Sequence, residues 1–220
     1  MEASAAVLCN YEPLYVPGLL QTRVYASAIH RSSYARPAGR LATDRALGFR
    51  LRRQEVLTVA HAPRFHATVH ESALRVRYGG REVVRDQLLR LMEVSRLPNV
   101  TVQVFPQEAD APAFTHPFMV VEWDVKELST VLVDQLEGST YLGEARRVGE
   151  YRAIFERLSE LALPPVDAAA APEGRRAKDS LGLLQRLLYP LLQKGVHVSA
   201  QVAEIQLQRG RRGHVRRGGG

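Results

Sequence analysis

The 220-residue chain is 45% apolar and 24% charged, ordinary for a globular protein and long enough for one substantial domain with an appendage. No apolar run reaches the length that spans a bilayer, the N-terminus is a poor secretion signal, and the single cysteine, Cys9, excludes an internal disulfide or a cysteine-cluster metal site; the cytoplasm is the expected compartment, and no cofactor is expected. The net charge of +7 is unevenly placed: ten of the 30 basic and three of the 23 acidic residues fall in 171–220, leaving 20 of each in 1–170, so the body exerts no whole-domain attraction on nucleic acid.

Taken in chain order, the first periodic segment runs from Pro17 to about Arg31, with Leu20, Val24 and Ala28 at helical spacing. Turn residues at 32–39 end it. A second helix is expected over Thr43 to Ala60, Thr43 serving as N-cap. At 100° per residue, Arg50 and Gln54 fall inside its apolar arc and Arg53 lies at the edge. A strand, Phe65–Val69, leads to a helical turn near Ser72–Val76. After Gly79-Gly80 an amphipathic helix, Arg81 to Arg96, carries Val83, Val84, Leu88, Leu91 and Met92 on one side, interrupted by Gln87. Val100–Phe105 alternates as a strand. Strand, helix and strand across 65–105 read as a parallel βαβ pair.

Phe118–Trp123 and Thr130–Leu136 read as an antiparallel hairpin, and Tyr141 to Leu163 as a long helix stopped by Pro164-Pro165. The expected fold is therefore α+β: a mixed four-stranded sheet, one parallel βαβ pair plus an antiparallel hairpin, packed with three or four helices. The body is expected over 1–165. Residues 166–220 are expected as an Ala/Pro linker, a short amphipathic helix over Leu181–Leu192 cut by Pro190, and a basic, disordered Arg/Gly-rich tail.

Motifs for chemistry are sparse. His66 and His70 are four apart, but Glu71 lies outside the pair and Thr68-Val69 favour a strand, so the zinc-protease pattern on a helix is not met. No nucleophile elbow or phosphate-cradling glycine loop occurs. Cys9 reads as a plain thiol ahead of the first ordered segment. The acids Glu71, Glu122 and Glu137 stand in strands or at strand ends, where two sharing a cleft would suit acid–base work. The polar residues set in apolar stripes, Arg50, Gln54 and Gln87, are more informative, because burying them unpaired would cost several kcal/mol. Two readings stand: an internal network anchoring Arg50 to a carboxylate such as Glu71, or a pocket or interface whose ligand supplies the partners. In the tail, Arg209, Arg211, Arg212, Arg216 and Arg217 are suited to nonspecific phosphate contact.

The string Tyr11-Glu12, then Val16-Pro17-Gly18-Leu19-Leu20-Gln21-Thr22 and Tyr25-Ala26, resembles the opening of a known family. This is the C-terminal domain of unknown function, often called antitoxin-like, carried by actinobacterial Xre-type helix-turn-helix regulators of the WhiJ-like group. The likeness continues through Arg50-Leu51-Arg52-Arg53-Gln54, Glu71-Ser72-Ala73-Leu74-Arg75, Gln87-Leu88, the stretch Pro98 to Pro106 and the Tyr151, Phe155, Leu158 helix. It implies a transcription regulator's sensing or partner-docking effector domain, with a small partner protein encoded nearby; together with the lack of assembled catalytic motifs this makes a non-enzymatic role the expectation, with homodimerisation through apolar helix faces expected beside it. It offers no catalytic residues. Gln21, Tyr25, Arg50, Arg53, Gln54, Glu71 and Gln87 are the expected ligand- or partner-binding positions. The family pattern places a helix-turn-helix upstream, and this sequence shows none. DNA contact is therefore expected only through a separate helix-turn-helix or weakly through the tail. His70 stands where an aspartate is usual, and 171–220 match no known pattern. A small-molecule-sensing domain and a carboxylate-using enzyme remain the alternatives.

Overall fold

Alternating apolar residues along the strands supply two buried faces, and helices cover both. The computed structural model describes residues 2–32, 40–110, 116–135, 138–167 and 178–193. The strands are β1 (Val7–Glu12), β2 (Arg64–His70), β3 (Val100–Phe105), β4 (Phe118–Glu122), β5 (Thr130–Gln135) and β6 (Gly138–Leu142). They form one sheet in the order β3-β2-β1-β4-β5-β6. The β1–β2 and β2–β3 pairs are parallel; β1–β4, β4–β5 and β5–β6 are antiparallel. The helices are α1 (Arg23–Ser32), α2 (Arg40–Arg53), α3 (Glu71–Arg75), α4 (Arg81–Val94), α5 (Ala145–Leu161) and α6 (Ser180–Leu192).

One face of the sheet presents Leu8, Phe65, Ala67, Val69, Val102, Val104, Met119, Val121 and Leu132, which cluster with Tyr25 of α1, Val84, Leu88 and Leu91 of α4, and four leucines of α6. The other presents Tyr11, Phe105, Phe118, Val120, Val131 and Val133 to Val148, Phe155 and Leu158 of α5. Gly79 turns the chain into α4 at φ +74°, and a Cβ there would stand 2.8 Å from the Ala28 Cβ, so the turn requires glycine. No helix of the described residues is long and apolar enough to cross a membrane.

The mixed α+β architecture, the parallel β2–β3 pair and the β4–β5 hairpin agree with expectation, but the sheet has six strands rather than four, with six helices among the described residues. The first addition is β1, the central strand, so Cys9 lies inside the sheet and not ahead of the ordered chain. Asn10 and Glu12, residue types depleted in strands, disguise it. The second is β6, which takes Tyr141 out of the helix it was expected to start; α5 begins only at Ala145. The Pro17–Arg31 segment divides into a 3₁₀ turn, Gly18–Leu20, and α1, because Gln21 is extended (φ −74°, ψ 141°). Val24 consequently faces solvent while Tyr25 and Ala26 are buried.

The core also continues past residue 165. Leu163 and Val166 donate N–H bonds to the carbonyls of Val104 (2.9 Å) and Val102 (2.8 Å), laying that segment along β3. The buried Ser180 Oγ accepts from Val104 N at 2.9 Å. Leu181, Leu183, Leu184 and Leu188 then pack into the main cluster. The α6 helix runs through Pro190 rather than stopping there: Pro190 is on the exposed side, and the Arg81 guanidinium donates to the terminal carbonyls of Pro190 and Gln193. The expected disordered tail, with Arg209, Arg211, Arg212, Arg216 and Arg217, lies outside the described residues.

Candidate functional site

Seven side chains stood out in the sequence as polar positions set among apolar ones, and the structure sorts them into four at one backbone segment, two at a cleft beside it, and Glu71 elsewhere. Four of them hold the segment Val16–Thr22, which crosses the carboxyl end of β1. Gln21 Nε2 donates to the Val16 carbonyl at 2.7 Å. The Tyr25 hydroxyl accepts from Val16 N at 3.3 Å. Gln54 Nε2 donates to the carbonyls of Gly18 (3.0 Å) and Gln21 (2.8 Å). Gln87 receives Thr22 N at 2.7 Å and donates to the Leu20 carbonyl at 2.9 Å. The segment has no regular ladder of its own, so these amides complete its backbone hydrogen bonding. They are a clamp.

Beside the clamp lies a cleft of about 440 Å³ lined by Asn10, Glu12, Gln21, Arg50, Arg53 and Asp134, with apolar walls from Leu14, Val16, Ile29 and Met119. It sits where the parallel half of the sheet meets the antiparallel half, outside the carboxyl end of β1, a common location for ligands in open sheets. The register explains the grouping. Extending the Tyr11–Phe118 and Met119–Leu132 pairings sets Pro117 between Glu12 and Asp134. The two acids therefore share a face about two strand spacings, roughly 10 Å, apart.

Arg50 reaches the cleft from α2 and donates to Gln21 Oε1 at 3.0 Å, not to Glu71. Among the described residues no carboxylate stands within ion-pair distance of it. Burial, with Arg53 nearby, lowers its basicity. Arg53 is held by Glu2 through both carboxylate oxygens, which raises its pKa. Glu12 is the residue that sequence reasoning passed over. Burial and the Asp134 carboxylate push its carboxyl up to about 8, with Arg50 and an Asn10 hydrogen bond opposing. Asp134 itself is exposed and accepts from Ser139 Oγ at 2.6 Å.

A second depression of about 590 Å³ continues from the first, since Arg53, Leu132 and Asp134 line both. It runs between α2 and the β5–β6 hairpin, past Phe49, Val56, Val59 and Tyr141.

Compared with known proteins, residues 1–171 match a family described as Domain of unknown function (DUF5753). The chain belongs to the DUF5753 family. No curated protein and no solved structure matches it. In this DUF5753 chain α6 lies beyond the matched residues, although its leucines are part of the core.

The remaining sequence-derived positions of the DUF5753 chain lie elsewhere. Glu71 is at the start of α3, bonded to Arg75 one helical turn on and to Gln107 N at 3.0 Å. Burial alone would raise its carboxyl, but Gln107, Arg75 and His70 outweigh that and hold it below the ordinary value. Glu71 follows β2 and Glu122 ends β4, which runs the opposite way, so they fall at opposite ends of the sheet and do not share a cleft; Glu137 lies outside the described residues. His70 Nδ1 caps α3 by accepting from Ser72 N at 3.1 Å, and His66 bonds Gln103. Among the described residues no three metal-ligating side chains cluster. Cys9 and His66 line a depression of about 530 Å³ beneath α5, where Arg152 pairs with Glu122. Burial there, with Glu122 nearby, pushes the Cys9 thiol up to about 12, which leaves it protonated and a poor nucleophile.

Proposed function

We propose that this DUF5753 domain is a non-enzymatic regulatory module of Xre-type, WhiJ-like transcription regulators. It acts by docking an extended segment of a small partner protein, encoded nearby, along β6 and the groove between β6 and α2. The observation that carries the reading is the contrast between the sheet's two edges. Val102 and Val104 at the β3 edge are bonded by the chain's own Leu163, Val166 and Ser180. Along β6, residues Gly138 to Tyr141 are exposed, and Phe49 (59%) and Tyr141 (60%) border the adjoining groove as exposed aromatics. An open strand edge accepts main-chain hydrogen bonds from an added strand, and neighbouring apolar pockets read its side chains.

The resemblance to regulators encoded beside a small protein supplies the kind of partner. Co-expression with the small neighbouring protein and size-exclusion chromatography test the reading. Co-elution at micromolar concentration is expected, and Tyr141→Lys should weaken it at least tenfold while shifting stability by less than about 0.5 kcal/mol. Separate elution of the two proteins, or a second copy of this chain occupying the edge instead, would overturn it.

A further inference from the structure

We propose that the cleft at the carboxyl end of β1 binds a small zwitterion, an α-amino acid or a molecule ending in one, with its carboxylate on Arg50 and its ammonium between Glu12 and Asp134. The partner-docking reading does not require this site, which lies beside the groove and is complete within one chain.

The charges in the cleft act on one another through space, yet among the described residues Arg50, Glu12 and Asp134 make no ion pair. A guanidinium has five N–H donors, and the only hydrogen bond Arg50 makes among the described residues uses one of them on a neutral amide oxygen. Leaving a partly buried cation without an anion in contact is costly unless something else supplies one. The nearest other cation, Arg53, is already committed to Glu2. It feels Asp134 through space but makes no ion pair with either acid of the floor. Glu12 and Asp134 point from β1 and β5 to the same face with the Pro117 position between them.

A purely anionic ligand would meet the Asp134 carboxylate and leave the Glu12 carboxyl without a cation, and a purely cationic one would meet Arg50. A ligand bearing both signs satisfies each in turn, and Arg–carboxylate pairing is the stronger, directional half. The volume of about 440 Å³ falls in the range for small-molecule sites. The walls of Leu14, Val16, Ile29 and Met119 favour an apolar side chain on the ligand.

Proton linkage gives the site a signature. The groups acting on Glu12 are Asp134 from β5, Arg50 from α2 and Asn10 from its own strand, and the phenols of Tyr25 from α1 and Tyr11 from β1 feel its charge in turn. The free domain holds Glu12 largely protonated at neutral pH. An ammonium group arriving beside it favours the carboxylate, so binding releases a proton.

The test uses the full chain without partner protein, so its outcome is separate from that of co-elution. Thermal shift and titration calorimetry with leucine, phenylalanine, glycine and lysine are compared with N-acetyl-leucine and leucinamide. At least one free amino acid, with leucine or phenylalanine ahead of glycine, should raise the melting temperature saturably. Blocking either end should weaken binding at least tenfold. Arg50→Lys, which keeps a charge, should fold and weaken binding at least tenfold. Glu12→Gln should abolish the dependence of binding heat on buffer ionisation at pH 7. No shift with any of the four amino acids at millimolar concentration would overturn the proposal. So would blocked forms that bind as tightly as leucine, or full binding by Arg50→Lys.

Discussion

The two halves of the sheet are finished differently. In the parallel half, β3-β2-β1, the edge is closed by the chain itself, α4 and α6 cover the face, and the polar side chains between the layers, Gln87 above all, have their bonds made internally. In the antiparallel half, β4-β5-β6, the edge is exposed and the neighbouring polar groups, Arg50, Glu12 and Asp134, face a cleft without an ion pair among the described residues. One half is built for stability. The other leaves an exposed edge and a charged cleft.

The comparison is broken most severely by removing the closure. Ending the chain after Asp167 deletes α6 and its four buried leucines, at about 2 kcal/mol each. That is comparable with the ~5–15 kcal/mol net stability of a domain. The truncated chain should lose its cooperative thermal transition in circular dichroism and associate through the uncovered β3 edge. A cooperative melt within a few degrees of the full chain would contradict the role given to α6. This holds even though the family match ends before α6 begins.

Single residues sharpen the contrast. Gln87→Ala orphans the buried Leu20 carbonyl and the part-buried Thr22 N–H, and should cost about 2 kcal/mol in urea unfolding with an unchanged denaturant slope. Arg50→Ala, in the same experiment, should cost less than about 1 kcal/mol, because it removes a desolvated charge that has no ion pair. Equal losses at the two positions would erase the distinction between clamp and cleft.

A smaller effect is expected from Glu12, and its sign depends on pH. The folded chain holds the Glu12 proton up to about pH 8, against an ordinary value of 4.5. Its contribution to stability is thus fully present below pH 4.5 and is lost as pH rises toward 8. Glu12→Gln should match the native chain near pH 4.5 and exceed it by about 2 kcal/mol at pH 8, a figure reduced for the screening that partial exposure allows. Chemical denaturation at the two pH values measures it. An identical pH dependence in both proteins would show that Glu12 titrates normally.

The parallel β2–β3 pair and the β4–β5 hairpin were legible in the sequence, and the strands β1 and β6 were not. Regular alternation in β2 and β3, with the periodic α4 between them, announces a parallel pair, because the order strand, helix, strand makes a crossover connection. The residues that make the cleft obscure the strands that carry it: Asn10 and Glu12 interrupt the pattern of β1, and exposed Gly138–Tyr141 has no buried face to announce β6. The polar interruptions of α2 and α4 did mark a region of interest. Whether a given amide would be consumed by a backbone segment, as Gln54 and Gln87 are, or left facing a cavity, as Arg50 is, depends on a fold of the 16–22 loop that spacing alone does not specify. The pairing of Glu71 with Arg75, by contrast, follows from their helical separation of four.

Hydrogen exchange with and without the small neighbouring protein tests the division most directly. Binding should slow exchange at least tenfold in Gly138–Leu142 and at the Phe49–Arg53 end of α2, while Val100–Phe105 exchanges as before. Protection that appears instead along β3 and α4, or no change anywhere in the chain, would contradict the assignment of the antiparallel half as the binding surface.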